Sequence, residues 1–377
     1  MKGTILYVGN FELPDKGAAA NRVVSNGKLF RKLGYGTAYL GIRKDADFAG
    51  VQLLDAEQNM YEEKYPQGIR EWFLHMWSVK NIQAVIEKQG DVCMVILYNV
   101  PFVLLKRVKH ALKSTNIKVA YDCTEWAGVT DGSFAKQMAK KIDEHFIRTK
   151  LADVADHLIV ISRRMQQAYA KSKHLLLLPP LLDIHDSIWH QSMEKQDEVF
   201  EFCFAGILDG NKESLDIIVE AFGNLKRKDT RLRIIGITEK EFCDFYPNGQ
   251  LLLEQCREQV VFMGTRSHEE TIRYVLHCDC YIFIRQSDIR NNAGFPTKFA
   301  ESYTCNVPII ATDISDIRGY LAERDRWTLL ETITSEAAER AMREGIARGR
   351  VNKNNSLDKT FHYETYEEVC KSWLEDL

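Results

Sequence analysis

The chain has 377 residues, 45% of them apolar and 27% charged, with a formal net charge of -3. That length exceeds one ordinary core and suits two domains of about 150–200 residues each, in the composition range of globular proteins. The charge gives no global basic field for nucleic acid. The apolar runs at 93–105 and 175–182 are too short for a bilayer span and contain proline.

Met1 and Lys2 lead into a short apolar stretch and then Glu12 and Asp15. That is not a secretory pattern, so a cytoplasmic location is expected. Nine cysteines without a Cys-x-x-Cys pair suit reduced thiols and argue against structural zinc. Residues 4–9 read as a buried strand, 18–33 as a helix closed by Gly34, and 37–40 as the next strand. A helix over 69–89, a strand at 92–97, a basic helix at 106–113 and a strand at 118–121 follow. A long helix over 132–155 and a strand at 157–161 complete the first series. Such alternation implies crossover units and a parallel sheet.

Segment 175–182, with its double proline, and the polar stretch after it read as a linker. The rhythm then restarts. Strands are expected at 200–205, 232–235, 260–263, 280–284 and 308–312, with helices at 214–225, 268–277 and 298–304. An acidic amphipathic helix closes the chain at 363–377. The predicted organisation is an acceptor-type domain at 1–185, a linker at 186–198, a ligand-holding domain at 199–350, and a tail at 351–377 returning to the first domain. Both domains are α/β and Rossmann-like, and ligands of such sheets sit beyond the carboxyl ends of the strands.

The most informative segment runs from Asn292 through Ala293, Gly294, Phe295, Pro296 and Thr297 to Lys298 and Glu301. A glycine loop that follows an apolar strand and opens a helix offers amides and a positive helix end to an anion. Lys298 in the first turn is unfavourable there unless something negative is near. Glu301 faces the same way and can accept bonds from vicinal hydroxyls. The alternative is an ordinary turn with an exposed ion pair.

The stretches AGFPTKFAES and NVPIIATD resemble the donor motif of retaining glycosyltransferases of family four (group 1), notably surface-polysaccharide enzymes. The resemblance implies the GT-B fold, two facing Rossmann-like domains with parallel sheets and a deep interdomain cleft. It further implies that Glu301 meets the nucleotide ribose while Gly294, Phe295, Pro296 and Thr297 lie along the diphosphate and sugar. The motif's first glutamate is replaced by Ala293, which leaves Asn292 or Arg290 to contact the sugar. FCFAGILDGNKESLDIIVEAF resembles the opening of the family's second domain, with Gly206 and Lys212 at diphosphate-binding positions and Ile207 where an arginine is usual. VVFMGTRSHEETIRYVLHCDCYIFIRQSD resembles the segment that packs on the base, beginning at Gly264 and Thr265 and ending near Arg285. PDKGAAANRVVSNGKLFRKLGYGTAYLG resembles the first loop and helix, where Gly17 allows close approach. Weaker likeness extends over nearly the whole chain.

On this reading Lys212, Lys298 and Glu301 are the catalytic candidates, and a UDP-sugar is the favoured donor substrate. Neither a metal nor another cofactor is expected. The acceptor, a glycan or a polyprenyl-linked sugar, is assigned to Gly17, Asn99, Asp122 and Glu125, with capping or loop structuring as the alternative for the two acids. Trp126 reads equally as a sugar platform or as packing. Trp72, Phe73 and Trp77 read as a core stripe, with a membrane-surface face as the alternative. Ala293 and Ile207 also admit a non-catalytic partner subunit. A nucleotide-sugar epimerase of the same fold would need histidines, in which the site loops are poor.

Overall fold

The computed structural model describes residues 2–126, 134–191, 198–208, 213–321, 327–350 and 357–377. It divides into two compact units. One comprises Met1–Leu182, Ala293–Phe295 and His362–Leu377; the other comprises Asp183–Asn292 and Pro296–Phe361.

The first unit contains β1 (Thr4–Gly9), β2 (Gly36–Arg43), β3 (Val51–Asp55), β4 (Met60–Lys64), β5 (Val92–Tyr98), β6 (Lys118–Cys123), β7 (His157–Val160) and β8 (Leu175–Leu177). Its helices are α1 (Gly17–Lys32), α2 (Gly68–Trp77), α3 (Lys80–Gln89), α4 (Phe102–Ala111), α5 (Phe134–Val154) and α6 (Arg163–Ala168). The strands align in the order β3-β4-β2-β1-β5-β6-β7-β8. All neighbours are parallel except the edge hairpin β3–β4. Helices cover both faces of such a sheet, so β1 is buried at every position, and Tyr7, Phe30, Ile96 and Trp373 share one core.

The second unit contains β9 (Phe200–Ala205), β10 (Thr230–Ile235), β11 (Val260–Phe262), β12 (Cys280–Phe283), β13 (Ile309–Thr312) and β14 (Thr328–Leu330). Its helices are α7 (Leu215–Asn224), α8 (Glu239–Phe245), α9 (Gly249–Glu254), α10 (His268–His277), α11 (Ile289–Ala293), α12 (Thr297–Thr304), α13 (Ile317–Leu321) and α14 (Ser335–Arg348). The last helix, α15 (Glu367–Trp373), belongs to the first unit. The order β11-β10-β9-β12-β13-β14 is fully parallel. It reverses direction between β9 and β12, the switch point where ligands of this topology bind.

The structure departs from or adds to the sequence expectations at four places. Within the expected linker at 186–198, the 3₁₀ turn Ser187–His190 buries Trp189 and packs on α10 in the second unit, and residues 192–197 lie outside the described residues. The helix expected over 69–89 is two helices, broken where Ser78 adopts an extended conformation. The hairpin β3–β4 was unread. Of the expected core stripe, Phe73 and Trp77 are exposed and Trp72 is half-buried, and the neighbouring Leu74 is exposed as well. At the chain end, Cys370 and Trp373 enter the first unit's core, and Trp373 Nε1 donates to the His174 carbonyl at 3.1 Å. His157 is buried against His174 at 4.4 Å between ring centroids, and burial lowers its pKa to about 4. All nine cysteines are free thiols.

Candidate functional site

At the carboxyl ends of β9, β10 and β11 the backbone closes tightly around three glycines. Gly236 has φ +96°, and a Cβ there would meet the Gly206 carbonyl at 2.2 Å, so only glycine fits. Its N–H donates to the Gly264 carbonyl at 2.8 Å. Gly206, Gly264 and the exposed Thr265 therefore lie along one strand-end ridge.

Beside it, α12 starts at Thr297 after Pro296, with no side chain capping its first amides. Phe295 is buried, whereas Gly294, Thr297 and Lys298 are partly accessible. Glu301 is only 2% exposed. Lys298 Nζ lies 2.8 Å from its Oε2, and His268 Nε2 lies 3.0 Å from its Oε1. Burial raises the Glu301 carboxyl, but Lys298 and His268 outweigh it and hold the pKa at about 2. The ionised carboxylate only accepts, so His268 Nε2 carries the proton. His268 is fixed in the first turn of α10, where Ser267 and Glu270 form a reciprocal capping box.

The ion pair is therefore buried, not exposed. Glu301 acts as the anchor, while Lys298 and His268 reach solvent. This corrects the expectation that the site loops offer little histidine. A carboxyl held at about 2 stabilises the fold fully above its unfolded value near 4.5, and that contribution disappears as pH falls toward 2. The shift corresponds to about 3 kcal/mol. Acid unfolding of wild type and Glu301→Gln should converge only at about pH 2 and below, and separate by that order at pH 6.

A second ion pair stands at the switch point. Arg285, expected to meet a donor, is taken by Glu213: its Nε donates to Oε1 at 2.7 Å. Glu213 and Arg285 form a bridge joining the loops after β9 and β12. Glu213 Oε2 is buried without a partner among the described residues. Sequence reading missed Glu213 because nothing in its neighbourhood announces a partner 72 residues away. Lys212 lies outside the described residues.

Asn292 is not free to replace the missing glutamate. Its Nδ2 donates to Ser287 Oγ and the Asp288 carbonyl, and its Oδ1 accepts from Ser315 N–H. Ala293 is fully buried, with its carbonyl accepting from Ser162 Oγ at 2.6 Å, so a glutamate there would have to be desolvated.

In the first unit, Asp122 is not available to an acceptor. It is completely buried, pairs with Arg22 at 2.8 Å, and accepts from Tyr7 Oη and Asn26 Nδ2. Asn99 is likewise occupied, fastening the ends of β5 and β6: its Nδ2 donates to Thr124 Oγ1 at 2.5 Å and its Oδ1 accepts from Thr124 N–H. Trp126 is packed, donating to Tyr169 Oη at 3.0 Å beneath Arg148. Glu125 is exposed, as is Gly17, where φ is +88° and a Cβ would meet nothing within 4 Å.

A surface cleft of about 390 Å³ opens at the carboxyl ends of β1 and β5, lined by Asn10, Glu63, Glu71, His75, Asn81 and Leu74. Asn81 donates to Glu63 at 2.5 Å, and His75 Nδ1 lies 3.5 Å from the same carboxylate. Sequence reading missed this set because α2 was merged into a longer helix. The larger cleft of about 900 Å³, around Thr4, Gly36 and Asp91, opens at the amino ends of the strands. That is the wrong edge for a ligand of this topology.

Residues 186–360 match the family described as "Glycosyl transferases group 1". Among solved structures, the chain is similar to sucrose-phosphate synthase from Thermosynechococcus elongatus, with a TM-score of 0.72, 14% identity and 98% of each chain covered. It is similar to Anabaena HepE in complex with UDP and glucose, with a TM-score of 0.67, 14% identity and 100% of each chain covered. It is also similar to the catalytic domain of starch synthase IV from Arabidopsis thaliana bound to ADP and acarbose (TM-score 0.67, 8% identity, 99% of each chain covered). No curated protein sequence matches. The fold is that of the GT-B glycosyltransferases.

Proposed function

We propose that the chain transfers a sugar from a nucleoside diphosphate sugar to a glycan or lipid-linked acceptor, with the donor held by the second unit. The observation carrying this reading is the Lys298–Glu301–His268 cluster at the carboxyl edge of that unit's sheet, inside the segment matched by the group 1 family. A departing diphosphate gathers negative charge. Lys298 and the uncapped start of α12 supply preorganised positive potential for it, with Lys212 as a further candidate.

Transfer is proposed to be metal-independent and to retain configuration. The sugar C1–O bond to the diphosphate breaks and a C1–O bond to the acceptor forms on the same face. The acceptor hydroxyl proton passes to the leaving phosphate oxygen. UDP-sugars are the favoured donors, consistent with the UDP complex of the Anabaena relative. The acceptor is assigned to the first unit's cleft at Asn10, Glu63 and His75, and a surface polysaccharide is the proposed product class. The buried Ala293 and the exposed Ile207 favour one alternative, a non-catalytic partner of a true transferase.

Calorimetry with UDP, GDP, dTDP and ADP in the presence of EDTA tests the donor site. One nucleoside diphosphate should bind with micromolar to sub-millimolar Kd, and its sugar should be consumed when a glycan acceptor is supplied. Binding without consumption would favour the partner subunit, and no binding at millimolar concentration would remove the transferase reading.

A further inference from the structure

Helices α2 and α5 of the first unit, which both pack against α4, present to solvent the kind of side chain that water-facing helices avoid. In α5 the inward side is marked by the buried Ile147 and Leu151. At 3.6 residues per turn, positions nine residues earlier lie on the opposite side of the helix. Those positions are Met138 and Ile142, both exposed, with Ile142 at 53%. Phe134, at 80%, and Phe146 extend the row at four-residue intervals. A soluble helix places polar residues there.

The neighbouring helices continue the pattern. Phe102 of α4 stacks on Phe146 at 5.4 Å, and Arg107 of α4 lies over Trp77 of α2 at 5.8 Å. Trp77 in turn stacks on Phe73 at 5.4 Å, and Phe73 and Leu74 are both more than half exposed. The three helices carry nine Lys and Arg against four Asp and Glu, an excess of five positive charges in a chain whose net charge is -3. Lys106, Arg107, Lys140 and Lys141 are exposed. Among the described residues, no helix is long and apolar enough to cross a membrane.

We propose that this face docks on the surface of a bilayer containing anionic lipid. Phe and Trp side chains enter the headgroup boundary while the lysines and arginines meet lipid phosphates. Charge selects this occupant over a second copy of the chain. A two-fold contact would press the same positive face against itself, whereas an anionic leaflet complements it.

The test is flotation of the full chain with vesicles of phosphatidylcholine alone, or of phosphatidylcholine and phosphatidylglycerol in equal parts. Wild type should float with the anionic vesicles and be released by high salt. Lys140→Gln and Lys141→Gln should each weaken that binding about five-fold. Phe134→Ser combined with Ile142→Ser should weaken it at least ten-fold on the order of the apolar area lost, with Tm unchanged because both side chains are exposed. Absence of wild-type binding to anionic vesicles, or equal binding by the variants, would overturn the proposal. So would self-association in sedimentation velocity that Ile142→Ser abolishes, without vesicle binding. The readout involves no sugar transfer, so its failure leaves the donor-site reading untouched.

Discussion

Lys298→Met is expected to lower kcat/KM for sugar transfer by about 10²- to 10³-fold, the range seen when one preorganised charge partner of a transition state is removed. Glu301→Gln should cost a comparable factor by a different route. Its carboxylate touches Lys298 at 2.8 Å and His268 at 3.0 Å and is almost wholly covered, so it serves by holding the groups that reach the ligand. Removing the anchor charge releases the lysine and leaves the histidine only a neutral amide oxygen as acceptor.

The two substitutions together should therefore cost little more than either alone, because residues acting as one unit are non-additive. Nucleoside diphosphate affinity should follow the same pattern in calorimetry. If the double variant loses the product of the two single factors, Glu301 makes its own contact with substrate and the anchoring account fails. His268→Ala isolates the other arm. It should weaken transfer and leave the Lys298–Glu301 pair in place, while the acid limb of stability moves to higher pH because His268 is one of the two groups that hold the Glu301 carboxyl down.

What sequence reading recovered and what it lost follow from the same physics. β1 and β9 were located at their observed bounds because both faces of a central parallel strand are buried, giving continuous apolar runs. That burial also erased the two-residue alternation that would have told which way Asp122 points. In KVAYDC every residue after the first is buried, so a core ion pair looked the same as a site carboxylate. The Lys298–Glu301 pair was legible because it lies within one helical turn. His268 belongs to a different βα unit, 33 residues before Glu301, and only the fold brings them together. The aromatic row on α2 was misread because an amphipathic pattern marks two faces without saying which one meets the core.

Asp122 carries the largest expected effect on stability. Tyr7 of β1, Arg22 and Asn26 of α1, and Asp122 of β6 form one buried network, and Arg22 Nη1 also donates to the Leu178 carbonyl at 3.0 Å. Burial raises the Tyr7 pKa well above its ordinary value, with the nearby Asp122 charge adding to it, so the hydroxyl remains a donor to that carboxylate. Asp122→Ala would leave the Arg22 guanidinium buried without its counter-ion. Breaking one side of such a pair costs about 3–5 kcal/mol, enough to unfold a marginal unit near physiological temperature. The desolvation cost of two charges is already contained in the native state. Replacing both partners with apolar residues of similar size, Asp122→Leu with Arg22→Met, should therefore restore much of the loss. Urea unfolding of the two variants decides the point. A double variant as unstable as Asp122→Ala would mean that the hydrogen bonds to Tyr7, Asn26 and Leu178, and not the unpaired charge, hold α1 against the sheet.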